Sequence, residues 1–314
     1  MATKSDMPKP RILICSDGHA QAENAIRFIA PVAAFCEAEV TLLGIIETDS
    51  DEQPLREALE RGAGLLREKN VEPKLLTKTG DPVDEIRKQT SEADYDMVVI
   101  GAERKRGVGA SWMAEKAYSL IKVIEPPVLA VIGNRPALGK IVICSGGKHY
   151  IDTAVELVAR IARGSNVLVT ILHVMAEPPA MYAGMIRQEE DVTRLLASHS
   201  DLGRNLLREK KALEAQGIRT EVRLRHGIVV HELFEEIHQG DFDVIVTGLT
   251  GAAGPFGNYI MGDVTSEILN KADCPVLVVR GHEAAKGQRP GILSRILRLG
   301  GKSEKGKASD DPGT

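Results

Sequence analysis

The chain has 314 residues, about twice an ordinary domain, and this length sets an expectation of two domains. Its net charge of -4 excludes a general nucleic-acid binder, which needs a basic surplus. No apolar run reaches the roughly 18 residues that span a bilayer, and Met1 to Pro10 lacks the apolar core of a signal peptide, so the expectation is a cytoplasmic protein without stable membrane insertion.

Apolar strands are expected at about 11–16, 39–46, 73–78, 96–101 and 127–132, with helices at about 20–35, 53–69, 81–91 and 112–123 between them. The same alternation then begins again. Strands are expected near 140–145, 166–175, 219–225, 243–248 and 275–280, and helices near 150–163, 186–216, 229–238 and 263–272. Strands rich in Val, Ile and Leu, alternating with amphipathic helices, imply parallel sheets covered on both faces. The fold class is therefore α/β: two tandem open parallel five-stranded sheets with helices on both faces, Rossmann-like. Ligands in such folds sit beyond the carboxyl ends of the strands, at the switch point between the first and fourth.

The two halves are one unit duplicated. Arg11-Ile-Leu-Ile-Cys-Ser16-Asp17-Gly18 aligns with Lys140-Ile-Val-Ile-Cys-Ser145-Gly146-Gly147, and Val40-Thr-Leu-Leu-Gly-Ile45 with Val169-Thr-Ile-Leu-His-Val174. Tyr95-Asp-Met-Val-Val-Ile-Gly101 matches Phe242-Asp-Val-Ile-Val-Thr-Gly248, and Pro127 to Gly133 matches Pro275 to Gly281. The resulting boundaries are a first domain over 1–135, a second over 136–282 and a tail over 283–314. The four cysteines show no CxxC pair and read as small buried hydrophobes.

In the second half, Gly248-Leu-Thr-Gly251, Gly254, Gly257 and Gly262-Asp-Val-Thr265 lie between a strand and a helix. Backbone N–H groups in such a loop, added to the positive end of a helix, suit a phosphate. The spacing is neither a P-loop, which ends in Gly-Lys-Ser/Thr, nor the dinucleotide fingerprint, which follows the first strand. A surface loop in which glycine merely supplies positive φ is the competing reading.

With these motifs, residues 10–281 resemble the universal stress protein family in its tandem form. The family's nucleotide motif is Gly, two residues, Gly, nine residues, Gly, then Ser or Thr. An aspartate ending the first strand contacts the sugar, and backbone after the second strand contacts adenine. The resemblance implies a non-enzymatic stress-response protein acting through partners, with an adenine nucleotide (ATP, ADP or AMP) as its ligand. It also implies that each fifth strand is an edge that pairs, within the chain or in a homodimer. The binding residues it implies in the second half are Ser145, Gly146, Val174, Gly248, Gly251, Gly262, Asp263, Val264 and Thr265. In the first half Asp17 matches the sugar-binding position and Ile45 the adenine position.

Neither half matches in full. The first has Arg104, Ala114 and Glu115 where the motif wants two glycines and a hydroxyl. The second has Gly146 instead of the sugar-binding acid, one extra residue in the loop, and Asp263 instead of the hydroxyl. At most one nucleotide is expected, in the second half, bound weakly and with AMP or ADP preferred to ATP. A nucleotide-independent scaffold of the same fold, holding another ligand or protein, is the alternative. No nucleophile is paired with a general base and no metal cluster is spaced for binding, so an enzyme is not expected. Arg104 to Arg106 read as a solvated loop face, Trp112 as packing, and His173 and His226 as packed or hydrogen-bonded rather than catalytic. The basic tail, with Ile292, Leu293, Ile296 and Leu297 beside Arg295 and Arg298, is expected to be disordered and to touch anionic surfaces weakly.

Overall fold

The computed structural model describes residues 8–47, 52–102, 112–135, 137–146, 152–175, 188–249 and 263–280. The tail lies outside the described residues, as do Arg104 to Arg106 and the Met- and Tyr-containing stretch Pro178 to Met185, whose composition suggests a crevice lid or a partner contact. The first half runs β1 (Arg11–Ser16), α1 (Ala20–Phe35), β2 (Glu39–Ile46), α2 (Glu52–Arg67), β3 (Lys74–Thr79), α3 (Pro82–Glu92), β4 (Met97–Ala102), α4 (Trp112–Val123) and β5 (Val128–Ile132). The second runs β6 (Lys140–Cys144), α5 (Asp152–Ala162), β7 (Leu168–Met175), α6 (Gln188–Ala197), α7 (Asp201–Glu214), β8 (Arg219–His226), α8 (Val229–Gly240), β9 (Val244–Leu249), α9 (Asp263–Lys271) and β10 (Val276–Arg280).

Each half forms a parallel five-stranded sheet, and the two sheets meet edge to edge in the order β3-β2-β1-β4-β5-β10-β9-β6-β7-β8. The fifth strands make the seam. β10 pairs antiparallel with β5, Leu277 opposite Leu129, whereas the other neighbouring strands are parallel. An exposed apolar edge on β5 or β10 would be a template for aggregation, and each covers the other. The outer edges are instead blunted by charge, with Lys74 and Lys78 on β3 and Arg219, Arg223 and Arg225 on β8.

Helices cover both faces, which is why Ile12 to Ile14, Val98, Val99 and Val276 to Val279 are all buried. One core lies under α1, α2, α5 and α7 and includes Leu129 and Leu277 from the two sides of the seam. The other lies under α3, α4, α8 and α9. An ion pair also ties the halves together: Arg160 of α5 reaches Asp96 just before β4, with Nη2 3.0 Å from Oδ2, and Asp96 accepts from the Arg11 N–H at 2.8 Å.

The region 186–216, expected as one helix, is two. Ser200 caps α7 by accepting from the Gly203 N–H at 3.1 Å, while the Ser198 hydroxyl donates to the Leu195 carbonyl at 2.7 Å. Serine hydroxyls thus replace the backbone bonds that a continuous helix would need. Gly203 lets α7 press on the end of α6: a Cβ there would lie 2.1 Å from the Leu195 oxygen. Ser200→Ala is expected to cost about 1 kcal/mol, seen as a lower urea midpoint with an unchanged slope.

Candidate functional site

The switch crevices lie where β1 neighbours β4 and where β6 neighbours β9, beyond their carboxyl ends. In the first half, Asp17 leaves β1 with its side chain largely exposed and accepts from the His19 N–H at 3.1 Å. The residues around it are closed in by helices. Gly18, at φ +82, lies under Leu55 and Ala58 of α2, 3.5 and 3.7 Å from where a Cβ would be. A Cβ on Gly44 would meet Leu59 at 2.6 Å, and one on Gly101 would meet the Gln21 carbonyl oxygen of α1 at 2.2 Å. Backbone and leucine fill this end of the sheet. Ile45 is buried.

The second half is built differently at equivalent positions. His173 stands where the first half has Gly44, and Glu209 of α7 where α2 has Gly62. That helix alignment is fixed by buried Leu206 and Leu213 matching Leu59 and Leu66, and by left-handed Gly217 (φ 77) matching left-handed Asn70 (φ 61). At the end of β6 the Ser145 N–H donates to Leu172 O at 2.8 Å, and its hydroxyl donates to Glu209 Oε2 at 3.3 Å. His173 Nδ1 lies 2.7 Å from the Ser145 carbonyl, so Nδ1 is the protonated nitrogen. Asp152 of α5 is bonded by Arg208 at 2.7 Å. The next residue, Gly146, is exposed, and no described atom lies within 4 Å of where its Cβ would be.

Val174 is half-buried at the end of β7, its backbone in register with Arg225. Gly248 lies near the end of β9, and the only described atom near a Cβ there is Val279 O, at 4.0 Å. Two residues in the first turn of α9 pack inward. Thr265 is buried and its hydroxyl donates to Gly248 O at 3.2 Å, while Val264 packs on the core under α8 and α9. The Thr265 hydroxyl therefore anchors the helix to β9 and is already engaged. Asp263 opens α9, and Gly251 and Gly262 lie outside the described residues. So Ser145, Gly146, Val174 and Gly248 share one strand-end crevice, Val264 and Thr265 support it, and Asp17 belongs to the other half.

His173, Asp152, Arg208 and Glu209 add a polar cluster that single-strand motifs do not announce. Its one sequence signal is the duplication itself, which sets His173 against Gly44 and Glu209 against Gly62. All four cysteines are free, and burial pushes the Cys144 and Cys274 thiols up to about 12. Among the described residues no group of His, Cys, Asp or Glu could hold a metal ion, and no helix is long and apolar enough to cross a membrane.

The family model of the universal stress proteins matches residues 10–131 and again 138–280. The chain belongs to the universal stress protein family. It is a tandem member, with one copy of the family unit in each half. A universal stress protein of Mycolicibacterium smegmatis is 24% identical over 302 residues, covering 86% of this chain and 96% of its own. One of Methanocaldococcus jannaschii is 28% identical over 142 residues, 45% of this chain and 81% of its own. Among solved structures, a universal stress protein from Archaeoglobus fulgidus has a TM-score of 0.66 at 14% identity, covering 88% of this chain and 100% of its own.

Proposed function

We infer that this universal stress protein is a non-enzymatic, cytoplasmic adenine-nucleotide-responsive protein that acts through partners, and that its nucleotide is held by the second half. One contrast carries the reading. Where the first half has Gly44 against Leu59 and Gly62 against Ile26, the second has His173 and Glu209, both hydrogen-bonded to Ser145. Apolar side chains and backbone line the first crevice beside the exposed Asp17. The second offers bare backbone and hydrogen-bonding groups, which is what a sugar and a base need. Val174 provides the backbone edge for adenine that the family resemblance implies.

Two departures set the affinity low. Gly146 supplies no carboxylate for the sugar hydroxyls, and Asp263 begins α9 where phosphates would gather at the helix start. A carboxylate repels each added phosphate charge. Titration calorimetry with AMP, ADP and ATP is expected to show one weak site per chain, with ATP the weakest. Asp263→Ser is expected to improve ATP binding about tenfold, or ~1.4 kcal/mol, with a smaller gain for AMP. If neither the wild type nor this variant binds any of the three, the nucleotide-independent scaffold is the correct reading.

A further inference from the structure

Glu209 is the anomaly of the second half. It sits mid-helix in α7 with 1% exposure. One carboxyl oxygen accepts from Ser145, and the other, Oε1, is buried with no hydrogen-bond partner among the described residues. In the first half its counterpart, Gly62, lies against Ile26 and Leu42, and the matching positions here are the buried Val155 and Ile171. A carboxylate placed on that apolar floor would lose its hydration without gaining a cation. The charged and titratable groups around it compound this. Asp152 on α5 is a like charge, Arg208 on α7 is drawn to Asp152, and on β7 the His173 Nδ1 is spent on the Ser145 carbonyl.

We propose that Glu209 is a proton-held latch between α7 and the end of β6: the neutral carboxyl keeps α7 seated beside Gly146, and its ionisation releases the helix. A neutral acid needs fewer partners than a carboxylate, and the Ser145 bond serves it. Burial, reinforced by Asp152 and only partly offset by Ser145 and Arg208, pushes the Glu209 carboxyl from 4.5 up to about 8. The latch stands whether or not a nucleotide binds. Its control over ligand occupancy rests on the second-half crevice being the binding site.

The sign follows from linkage. Seated α7 holds the proton up to about pH 8, whereas released α7 loses it above about 4.5. Release is therefore increasingly favoured as pH rises between those values, by up to about tenfold per pH unit, and is constant above them. Hydrogen exchange of the full chain is compared between wild type and Glu209→Gln at each pH, which cancels the intrinsic exchange rate. At about pH 5 residues 201–214 should be protected nearly equally in both proteins. At about pH 8.5 the wild-type helix should exchange at least a hundredfold faster than the variant, with no such change in α3. Equal protection at both pH values overturns the latch, and so does a loss spread evenly over the chain. Carbon-13 NMR of the wild-type Glu209 carboxyl gives a second decision that needs no variant. A midpoint well above the ordinary 4.5 shows that the seated helix holds the proton, and titration near 4.5 overturns the latch.

Discussion

Replacing Leu277 by aspartate is expected to leave the protein unfolded under conditions where the wild type is fully folded. Leu277 is 1% exposed on β10 and faces Leu129 of β5, itself 3% exposed, across the strand pair that joins the halves. Only three residue pairs, Val276 to Val278 with Ala130 to Val128, register across that seam. Its strength must come largely from the side chains on either face. Around Leu277 stand Phe28, Ile29, Val32, Met97, Leu129 and Val158, none of which can pair with a carboxylate. Truncating a buried leucine to alanine costs about 2–5 kcal/mol, and burying an unpaired charge costs more. A total stability of about 5–15 kcal/mol does not survive that loss. Circular dichroism and urea unfolding check it, with Leu277→Ala as the graded partner that stays folded at a lower midpoint. An aspartate variant melting within a few degrees of wild type would show that the seam contributes little.

Most of the architecture was legible from the chain because strands covered on both faces carry continuous apolar runs, and because those runs occur twice. Ile12-Leu-Ile-Cys15 and Ile141-Val-Ile-Cys144 need no tertiary information to be seen as buried parallel strands. That each fifth strand is an edge that pairs, within the chain or between chains, was implied by the family resemblance, and two bare apolar edges would be a hazard. The break between α6 and α7 was missed because leucines recur at helical spacing straight through it. The competing signal was local: Ser198-His-Ser200-Asp201 holds a capping serine followed by an acid in the first turn.

At the site, the family resemblance named Ser145, Gly146, Val174 and Gly248, and the structure places all four at or near strand ends, which sequence patterns locate well. The role of Thr265 did not. A hydroxyl after a glycine loop suggests a ligand contact, yet its partner is Gly248 O, 17 residues earlier. Glu209 was hidden for a different reason. In Arg208-Glu-Lys-Lys211 it reads as part of a solvated charged face, and only helix packing shows that it alone of the four is fully buried. Its partner Ser145 lies 64 residues away, a distance no spacing rule spans.

Gly146→Asp is expected to tighten AMP and ADP binding by about tenfold or more, and Gly262→Val to abolish it. The first substitution restores the acid that the family places at the sugar, at a position where no described atom lies within 4 Å of the new Cβ. Nor does Gly146 have the left-handed backbone that would strain a side chain. A hydrogen bond from a sugar hydroxyl to a carboxylate contributes about 1.5–3 kcal/mol, and tenfold requires about 1.4 kcal/mol. Stability should move little at this exposed site. The second substitution puts a branched side chain where the motif brings backbone against phosphate. Calorimetry on both variants separates the two ends of the ligand. Unchanged affinity in Gly146→Asp places the sugar away from β6, and wild-type affinity in Gly262→Val moves the phosphates elsewhere. A gain in the first with a loss in the second fixes the nucleotide across the crevice, its sugar at β6 and its phosphates at the start of α9.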